Sequence, residues 1–244
     1  MKEMGQQKFI TIYEALKADI LQGHYGYREQ LPSEPSLANT YDVSRETVRK
    51  ALNMLSNDGK IQKIKGKGSV VIYQGMTEFP LADLRSFKEV QAELGRTYDT
   101  EVKVLEIVKA LDVPTVKHAL DLTAEQQLWH VVRLRHYEHK TKIIDEDYFL
   151  TDIVPNLTEA IARDSIYDYI EHDLGRKISY SNKTITFEPF SEQEYQYFDE
   201  INPPYTATVR GVVYLENTTK FQYNISKHLA TEFQFNDFSR RRPE

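Results

Sequence analysis

Two short basic stretches near the N-terminus carry side chains suited to holding a polyanion. The first is "SRETVRK" at 44–50, and the second is "KGKG" at 65–68. Arginine can bind O6 and N7 of guanine with two hydrogen bonds, while serine and threonine hydroxyls can bind phosphates or bases. Lysines beside glycines let a chain approach a phosphate row or a minor groove closely. This set of residue types predicts contact with double-stranded DNA.

The charge distribution agrees with that prediction. The chain of 244 residues has a formal net charge of −6, yet residues 1–75 hold 11 lysines and arginines against 8 acidic residues. The segment Lys60–Lys67 contains four lysines and no acid. A basic N-terminal part in an acidic protein predicts one module for a polyanion and another with a different task.

The elements that must position these residues are three helices and a hairpin. Apolar residues recur at helical spacing from Phe9 to Ile20, and Ser33 and Ser44 are suited to cap the next two helices. In the third helix Val48, Ala51, Leu52 and Leu55 form the buried stripe, so Arg49 and Lys50 point outward. Two short extended runs joined by Lys65–Gly68 complete a winged helix-turn-helix, assigned to residues 1–73.

A second candidate site lies in a strand predicted at Trp129–Tyr137. Arg133 and Arg135 share one face of this strand with apolar and aromatic neighbours, and a buried guanidinium needs a counter-anion. Ser86 and Ser165 each open a predicted helix, and helix N-termini with arginines can hold a phosphate. Internal salt bridges, with Asp145, Asp147 or Glu146 as partners, explain the same pattern equally well.

These residues belong to a predicted α+β domain at 80–244, which a linker at 74–79 separates from the first. The predicted elements are helices at 85–95, at 165–174 and after Ser191, where Ser191 and Glu194 fit a capping box. Strands are predicted at 101–107, 129–137, 142–149, 205–215 and 221–228. An antiparallel sheet with a few helices is therefore expected.

The first domain resembles the DNA-binding domain of the GntR family of bacterial transcription regulators. The resemblance rests on "LPSE" at 31–34, "VSRETVRKAL" at 43–52 and "DGKIQKIKGKGSVV" at 58–71. It implies that Arg45 and Arg49 read bases, that Ser44 and Thr47 contact phosphates or bases, and that Glu34 assists near the DNA backbone. The remaining residues assigned to DNA are Lys50 and the wing, Lys65, Gly66, Lys67 and Gly68.

The second domain resembles the effector domain of the HutC subfamily, the UTRA domain, which has a chorismate-lyase-like fold. The matching motifs are "SFKE" at 86–89, "RLR" at 133–135, "DEDYF" at 145–149, "SIYDYI" at 165–170 and "FQYNISKH" at 221–228. In sugar-phosphate sensors the matching positions that hold the phosphate are Ser86, Arg133, Arg135, Ser165 and Tyr167. The other residues assigned to the effector are Phe87, Glu146, Asp147, Tyr223 and His228.

Over its whole length the sequence is similar to repressors of trehalose operons from Gram-positive bacteria. The effector that this similarity implies is trehalose 6-phosphate, with no cofactor. A single winged helix reads few base pairs, so a homodimer on a palindromic operator is expected. The absence of cysteine, of a signal peptide and of a 20-residue apolar run predicts a cytoplasmic protein without a membrane partner.

Other functions remain open at this stage. A regulator that senses a different phosphosugar or a small acid would use the same DNA module. A lyase-like enzyme is the alternative from another class, but the sequence has no Ser-His-Asp order, P-loop or zinc motif. His136 and His139 have H-x-x-H spacing, although they flank a predicted hairpin turn, so no metal site is assigned.

Overall fold

The computed structural model describes residues 2–74, 84, 86–95, 97–235, 238 and 241. The chain forms two compact units, Met1–Thr77 with Asn236–Glu244 and Glu78–Phe235. The predicted linker lies outside the described residues except for Gln74. Near the C-terminus, Phe238 packs so closely against Gly59 that a Cβ atom at that glycine would lie 2.3 Å from the Phe238 ring.

The first unit is a winged helix-turn-helix, as predicted. Its elements are α1 (Lys2–Leu21), α2 (Glu34–Thr40), α3 (Arg45–Asn57), β1 (Ile61–Ile64) and β2 (Gly68–Val71). Serine caps begin both short helices, because Ser33 Oγ accepts the backbone N–H of Ser36 and Ser44 Oγ accepts that of Thr47. One apolar core joins the three helices to the hairpin; its fully buried members include Ile12, Leu16, Leu37, Val48, Leu52, Leu55 and Ile61.

The second unit contains a six-stranded antiparallel sheet with the order β3-β4-β5-β8-β7-β6. The strands are β3 (Asp99–Lys109), β4 (Gln127–Tyr137), β5 (Lys140–Leu150), β6 (Ile178–Pro189), β7 (Tyr205–Leu215) and β8 (Lys220–Leu229). β4 and β5 are joined by a tight turn in which Glu138 and His139 both have positive φ. This arrangement confirms the predicted antiparallel α+β fold.

Five α-helices accompany the sheet in the described part of the chain. They are α4 (Phe87–Leu94), α5 (Pro114–Ala119), α6 (Glu159–Arg163), α7 (Ile166–Asp168) and α8 (Glu192–Tyr197). The helix predicted at 165–174 is one α-helical turn that continues as a π-helical turn, Tyr169–Asp173. The capping box of Ser191 and Glu194 is present at α8.

Apolar clusters on both sheet faces hold this unit together. On one face Val131 and Phe149 pack with Ile166 and Ile170 of the α7 region. On the other face, one cluster lies near α5 and another near α8, with Val132, Leu134 and Ile144 in the latter. None of the helices in the described part of the chain is both long and apolar enough to cross a membrane.

Candidate functional sites

The exposed face of α3 carries the residues predicted to contact DNA. Val48, Ala51, Leu52 and Leu55 are fully buried, which leaves the intervening polar side chains outside. The cap is reinforced because the hydroxyls of Ser44 and Thr47 lie 2.9 Å apart. The exposed residues of this face are Arg45, Glu46, Arg49, Lys50 and Asn53.

Arg49 is held by two carboxylates at the surface. Its guanidinium donates to Glu46 Oε2 at 3.2 Å and to Glu34 Oε2 at 3.5 Å, and half of the side chain stays exposed. Lys63 of β1 lies 4.0 Å from Glu34 Oε1 and donates to Asn53 Oδ1 at 2.7 Å. Exposed ion pairs contribute about 0–1 kcal/mol, so the guanidinium can exchange them for a base edge at little cost. Glu34 thus positions Arg49.

The wing tip is exposed and built for a tight turn. Gly66 and Gly68 have φ of 79° and 99°, a region in which residues with a Cβ atom are strained. Lys65 and Lys67 alternate with these glycines, and all four positions are exposed. A Cβ atom at Gly68 would lie 3.0 Å from the Gln30 side chain. The backbone of this turn can therefore approach a phosphate row closely.

A cavity on one face of the second unit's sheet brings most of the other predicted residues together. It has a volume of about 910 Å³, part of it open to solvent. Most of its lining residues lie on β4, β5 and β8, and others lie at the N-termini of α4 and α7. The predicted residues that line it are Ser86, Phe87, Arg133, Arg135, Asp147, Ser165, Tyr167 and His228.

Each arginine of this cavity has an aspartate partner on the neighbouring strand. Arg133 donates to Asp147 Oδ2 at 2.5 Å, and Arg135 donates from Nε to Asp145 Oδ2 at 2.9 Å. Arg135 also donates to Thr100 Oγ1 at 2.7 Å, and its guanidinium lies 4.1 Å from the centre of the Phe87 ring. The internal salt bridges that the sequence left open therefore exist.

The ion pairs do not use all donors of the cavity. Arg133 also donates to the carbonyl oxygen of Ala162 at 3.3 Å, but its buried Nε has no partner among the residues that the structure describes. A buried N–H without a partner costs roughly 1–3 kcal/mol, more on a charged group. This atom marks a place where a ligand acceptor would be favourable.

Hydrogen bonds connect Asp145 and Asp147 to polar residues of β8. Ser226 donates its hydroxyl to Asp145 Oδ1 at 2.7 Å, so His228 Nε2, 3.1 Å from Ser226 Oγ, must act as the donor. Burial lowers the pKa of His228 to about 4, which keeps the ring neutral at pH 7. Tyr167 likewise donates to Gln222, whose amide donates to Asp147.

Charges of both signs line the cavity among the described residues. Burial and the neighbouring Arg133 lower the pKa of Arg135 to about 10, so it remains charged at pH 7. Burial opposes ionisation of Asp145, but the Arg135 and Arg133 charges outweigh it and hold the pKa of Asp145 below its ordinary value. The four cations that line the cavity, Lys88, Arg133, Arg135 and Lys183, face three anions, Asp145, Asp147 and Asp164.

Lys88 ties together the two serine-capped helices. Its ammonium lies 2.9 Å from Asp164 Oδ2 and 3.3 Å from Asp168 Oδ2, which joins α4 to the α6–α7 segment. Ser86 Oγ accepts the backbone N–H of Glu89, and Ser165 Oγ accepts that of Asp168. Ser86 and Ser165 both line the cavity, so both helices begin at its wall.

Two predicted effector residues lie elsewhere. Glu146 points to the opposite face of the sheet, where it contacts His130 at 3.1 Å and Tyr148 at 2.6 Å. Tyr223 lies on that same face, in the apolar cluster near α5. Strand alternation is the reason, because Glu146 is adjacent to Asp147 and Tyr223 is five positions from His228. The structure therefore places Glu146 and Tyr223 outside the cavity that holds the two arginines, whereas Asp147, the alternative to Glu146, lines it.

Several residues of the cavity were not assigned from the sequence. β8 directs every second side chain into it, and the motif "FQYNISKH" already contains that period of two. The additional polar residues are Lys88, Asp145, Asp164, Lys183, Gln222, Asn224 and Ser226, and Thr100 supports Arg135 from behind the lining. Within the described ranges, no group of three or more histidine, aspartate or glutamate side chains could hold a metal ion.

Comparison with known proteins gives the class of this chain. Residues 93–234 match the UTRA domain family, and residues 10–71 match the family described as bacterial regulatory proteins, gntR family. The chain is 41% identical over 240 residues to the HTH-type transcriptional regulator TreR of Bacillus subtilis, which covers 98% of this chain and 99% of that protein. It is 24% identical to the regulator GmuR of the same species, over 93% of this chain and 95% of GmuR.

Solved structures agree with the fold. The possible transcriptional regulator YydK from Bacillus subtilis aligns over 96% of this chain and 99% of its own, with a TM-score of 0.80 and 22% identity. The effector binding domain of the Bacillus subtilis trehalose repressor TreR aligns over 59% of this chain and 99% of that domain, with a TM-score of 0.54 and 34% identity.

The chain therefore belongs to the GntR family and carries a UTRA domain. It is a transcriptional repressor of the GntR type, closely similar to TreR of Bacillus subtilis. These relatives are transcription regulators, which favours ligand-controlled DNA binding over turnover.

Proposed function

We propose that this protein represses an operon for trehalose uptake and utilisation and that trehalose 6-phosphate releases it from the operator. The similarity to TreR over nearly the whole chain supports the trehalose operon as the target. The match of the second unit to the TreR effector binding domain supports this unit as the sensor. The active form on a palindromic operator is a homodimer, because one α3 helix contacts few base pairs.

The unpartnered Nε of Arg133 is the observation that carries the effector proposal. A phosphate oxygen near this N–H would satisfy a buried charged donor, so binding removes an existing cost as well as adding an attraction. Two arginines and two lysines line the cavity within the described residues, and each can attract an anionic ligand. A neutral sugar such as trehalose offers this N–H only a hydroxyl oxygen, which is a weaker acceptor than a phosphate oxygen.

The neighbouring helix N-termini support the same placement. The N-terminus of α4 carries the partial positive charge of an eight-residue helix, and Ser86 stands at the cavity wall. Ser165 brings a second hydroxyl, and Lys88 brings a cation already shared between two aspartates. A phosphate can thus bind Ser86, Ser165 and Arg133, while the hydroxyls of the sugar bind Asp147, Gln222 or His228.

The experiment that tests this function is operator binding followed by fluorescence anisotropy. The full chain is bound to DNA from upstream of its own gene cluster and titrated in parallel with trehalose 6-phosphate, trehalose and glucose 6-phosphate. Release by trehalose 6-phosphate at concentrations where the other two leave the complex intact is the expected result. Binding without release by any of the three would remove the proposed effector, and absence of binding would remove the proposed operator.

A further inference from the structure

A second cavity adjoins the first at its far end. It has a volume of about 690 Å³ and shares Ile143 and His228 with the cavity that holds the two arginines. Ile143 and His228 are opposite each other on β5 and β8, so these two side chains form the boundary between the cavities. The remaining lining residues are Tyr98, Tyr137, Glu138, Lys142, Leu229, Glu232, Phe233 and Gln234.

The two cavities follow one face of the same strands. Tyr137 lies on the face of β4 that also carries Arg133 and Arg135, and Ile143 lies on the face of β5 that carries Asp145 and Asp147. Arg133 and Tyr137 are four residues apart, which is about 13 Å along a strand. A ligand with its phosphate near Arg133 therefore needs more than one pyranose ring to reach Tyr137.

The second cavity differs from the first in its chemistry. Aromatic rings dominate it: Tyr98 and Tyr137 lie 5.1 Å apart, and the rings of Phe233 and His228 lie 5.3 Å apart. Its charged groups are two carboxylates, Glu138 and Glu232, and one ammonium, Lys142, which Glu232 binds at 2.8 Å. An excess of acid disfavours a second phosphate. Aromatic faces can pack against the C–H groups of a sugar ring, while carboxylates accept its hydroxyls.

We infer that the second cavity is a subsite for the uncharged pyranose ring of a glycosyl sugar phosphate, with His228 at the junction of the two rings. This inference rests on the proposed sugar-phosphate function and extends it. It assigns the phosphorylated ring to the arginine cavity and the neutral ring to the aromatic one. Discrimination between one-ring and two-ring sugar phosphates then depends on Phe233 and Tyr137, outside the phosphate site.

Truncation of Phe233 tests the inference. Phe233 follows β8 and is half-buried, so Phe233→Ala removes an aromatic wall without opening a fully buried core. Binding of trehalose 6-phosphate and of glucose 6-phosphate to the full chain is measured by calorimetry for wild type and variant. The expected result is a roughly three- to tenfold weaker affinity for trehalose 6-phosphate with an unchanged affinity for glucose 6-phosphate.

A matched control is available two residues away. Phe235 is half exposed and does not line either cavity, so Phe235→Ala should leave both affinities at the wild-type value. Equal weakening of both ligands by Phe233→Ala, or no change for either, would overturn the subsite while leaving the proposed function intact. Failure of the wild-type chain to bind trehalose 6-phosphate would instead overturn the proposed function, and the subsite with it.

Discussion

Arg133 and Arg135 each form an ion pair with an aspartate, and these ion pairs limit how each arginine can bind a ligand. Arg135 is 2% exposed and is bound by Asp145, Thr100 and the face of Phe87. Its removal would leave Asp145 buried with a lost partner, which costs roughly 3–5 kcal/mol of folding free energy. Arg133 has its own aspartate, but its Nε–H has no partner among the described residues. A phosphate role is therefore better tested at Arg133 than at Arg135.

Arg133→Lys should preserve the charge and lose the ligand donor. A lysine ammonium can still pair with Asp147, but it lacks the Nε–H and the planar fork of arginine. We expect the concentration of trehalose 6-phosphate that releases the operator to rise about tenfold or more, with operator affinity unchanged. Titration of the protein–operator complex followed by anisotropy measures both quantities.

A matched variant separates this effect from general loss of an arginine. Arg210 lies on the opposite face, where it binds Glu188 at 2.5 and 2.8 Å, so Arg210→Lys changes another arginine–carboxylate pair, a more exposed one, away from the cavity. It should leave release unchanged. An equal shift for both substitutions would assign Arg133 a structural role alone.

Because His228 is buried, we expect the folding stability of the second unit to depend on pH. The unfolded chain takes up a proton at this imidazole near pH 6.5, whereas burial delays uptake in the folded chain to about pH 4. Between these values the unfolded state binds more protons, so stability falls as the pH falls from above 6.5 towards 4. The full difference corresponds to about 3 kcal/mol.

The measurement is urea unfolding at several pH values, followed through the single tryptophan, Trp129, which lies in the second unit. His228→Gln should flatten the pH dependence in this window, because its side chain does not titrate. Other acids of the sheet contribute to both proteins and cancel in the difference. Identical pH profiles for wild type and variant would show that burial does not depress the pKa of His228.

At the scale of elements, the strength of the sequence pattern decided which predictions succeeded. β4 and β5 are strands of 11 residues each that are buried or half-buried beyond their first position, and their antiparallel pairing follows from the short turn between them. β6 (Ile178–Pro189) was missed because it is an edge strand with intermediate or exposed positions throughout. The sequence did not predict α5 and α6, because helices of 6 and 5 residues are too short for the helical spacing of apolar residues to repeat.

The residue assignments from the sequence did not use the alternation of side chains between the two faces of a strand. The sequence predicted β8, and a single residue placed in the cavity then fixes the direction of all the others in that strand. His228 in the cavity implies Gln222, Asn224 and Ser226 beside it and excludes Tyr223. The ion-pair partners of the arginines depend on register between strands, which the sequence alone did not determine.

The serine cap of α3 can be tested as an element. Ser44→Ala removes the acceptor for the Thr47 N–H and the contact between the two hydroxyls. We expect a loss of about 1 kcal/mol in the stability of the first unit. Urea unfolding followed by far-ultraviolet circular dichroism detects this loss, while the fluorescence of Trp129 should keep its midpoint.

The variant Ser44→Asp separates two roles of Ser44, capping of α3 and contact with DNA. Aspartate is as good a cap as serine, so stability should return to the wild-type value. Its negative charge would lie close to operator phosphates, so DNA affinity should fall. Retention of full DNA affinity in Ser44→Asp would place this end of α3 away from the DNA backbone.

For the molecule as a whole, the division of tasks between the two units predicts separable losses. Arg49→Met keeps the apolar stem of the side chain and removes the donors that face a base. We expect loss of specific operator binding with unchanged binding of sugar phosphate, measured by anisotropy and calorimetry on the same preparation. Arg28→Met, an equal change of charge at another exposed arginine of the first unit, should retain specific binding. Loss of sugar-phosphate binding in Arg49→Met would contradict the division.

Control of DNA binding by a ligand must act in both directions. If trehalose 6-phosphate lowers operator affinity by a given factor, the operator lowers affinity for trehalose 6-phosphate by the same factor. A coupling free energy of about 1–3 kcal/mol corresponds to a factor of roughly 5–150.

Calorimetric titration of trehalose 6-phosphate with and without saturating operator DNA should give the factor found by anisotropy. In Arg49→Met, which does not engage the operator, added DNA should leave the ligand affinity unchanged. Because linkage makes the two factors equal whatever the mechanism, an unchanged ligand affinity of the wild-type protein in the presence of operator would contradict release by trehalose 6-phosphate.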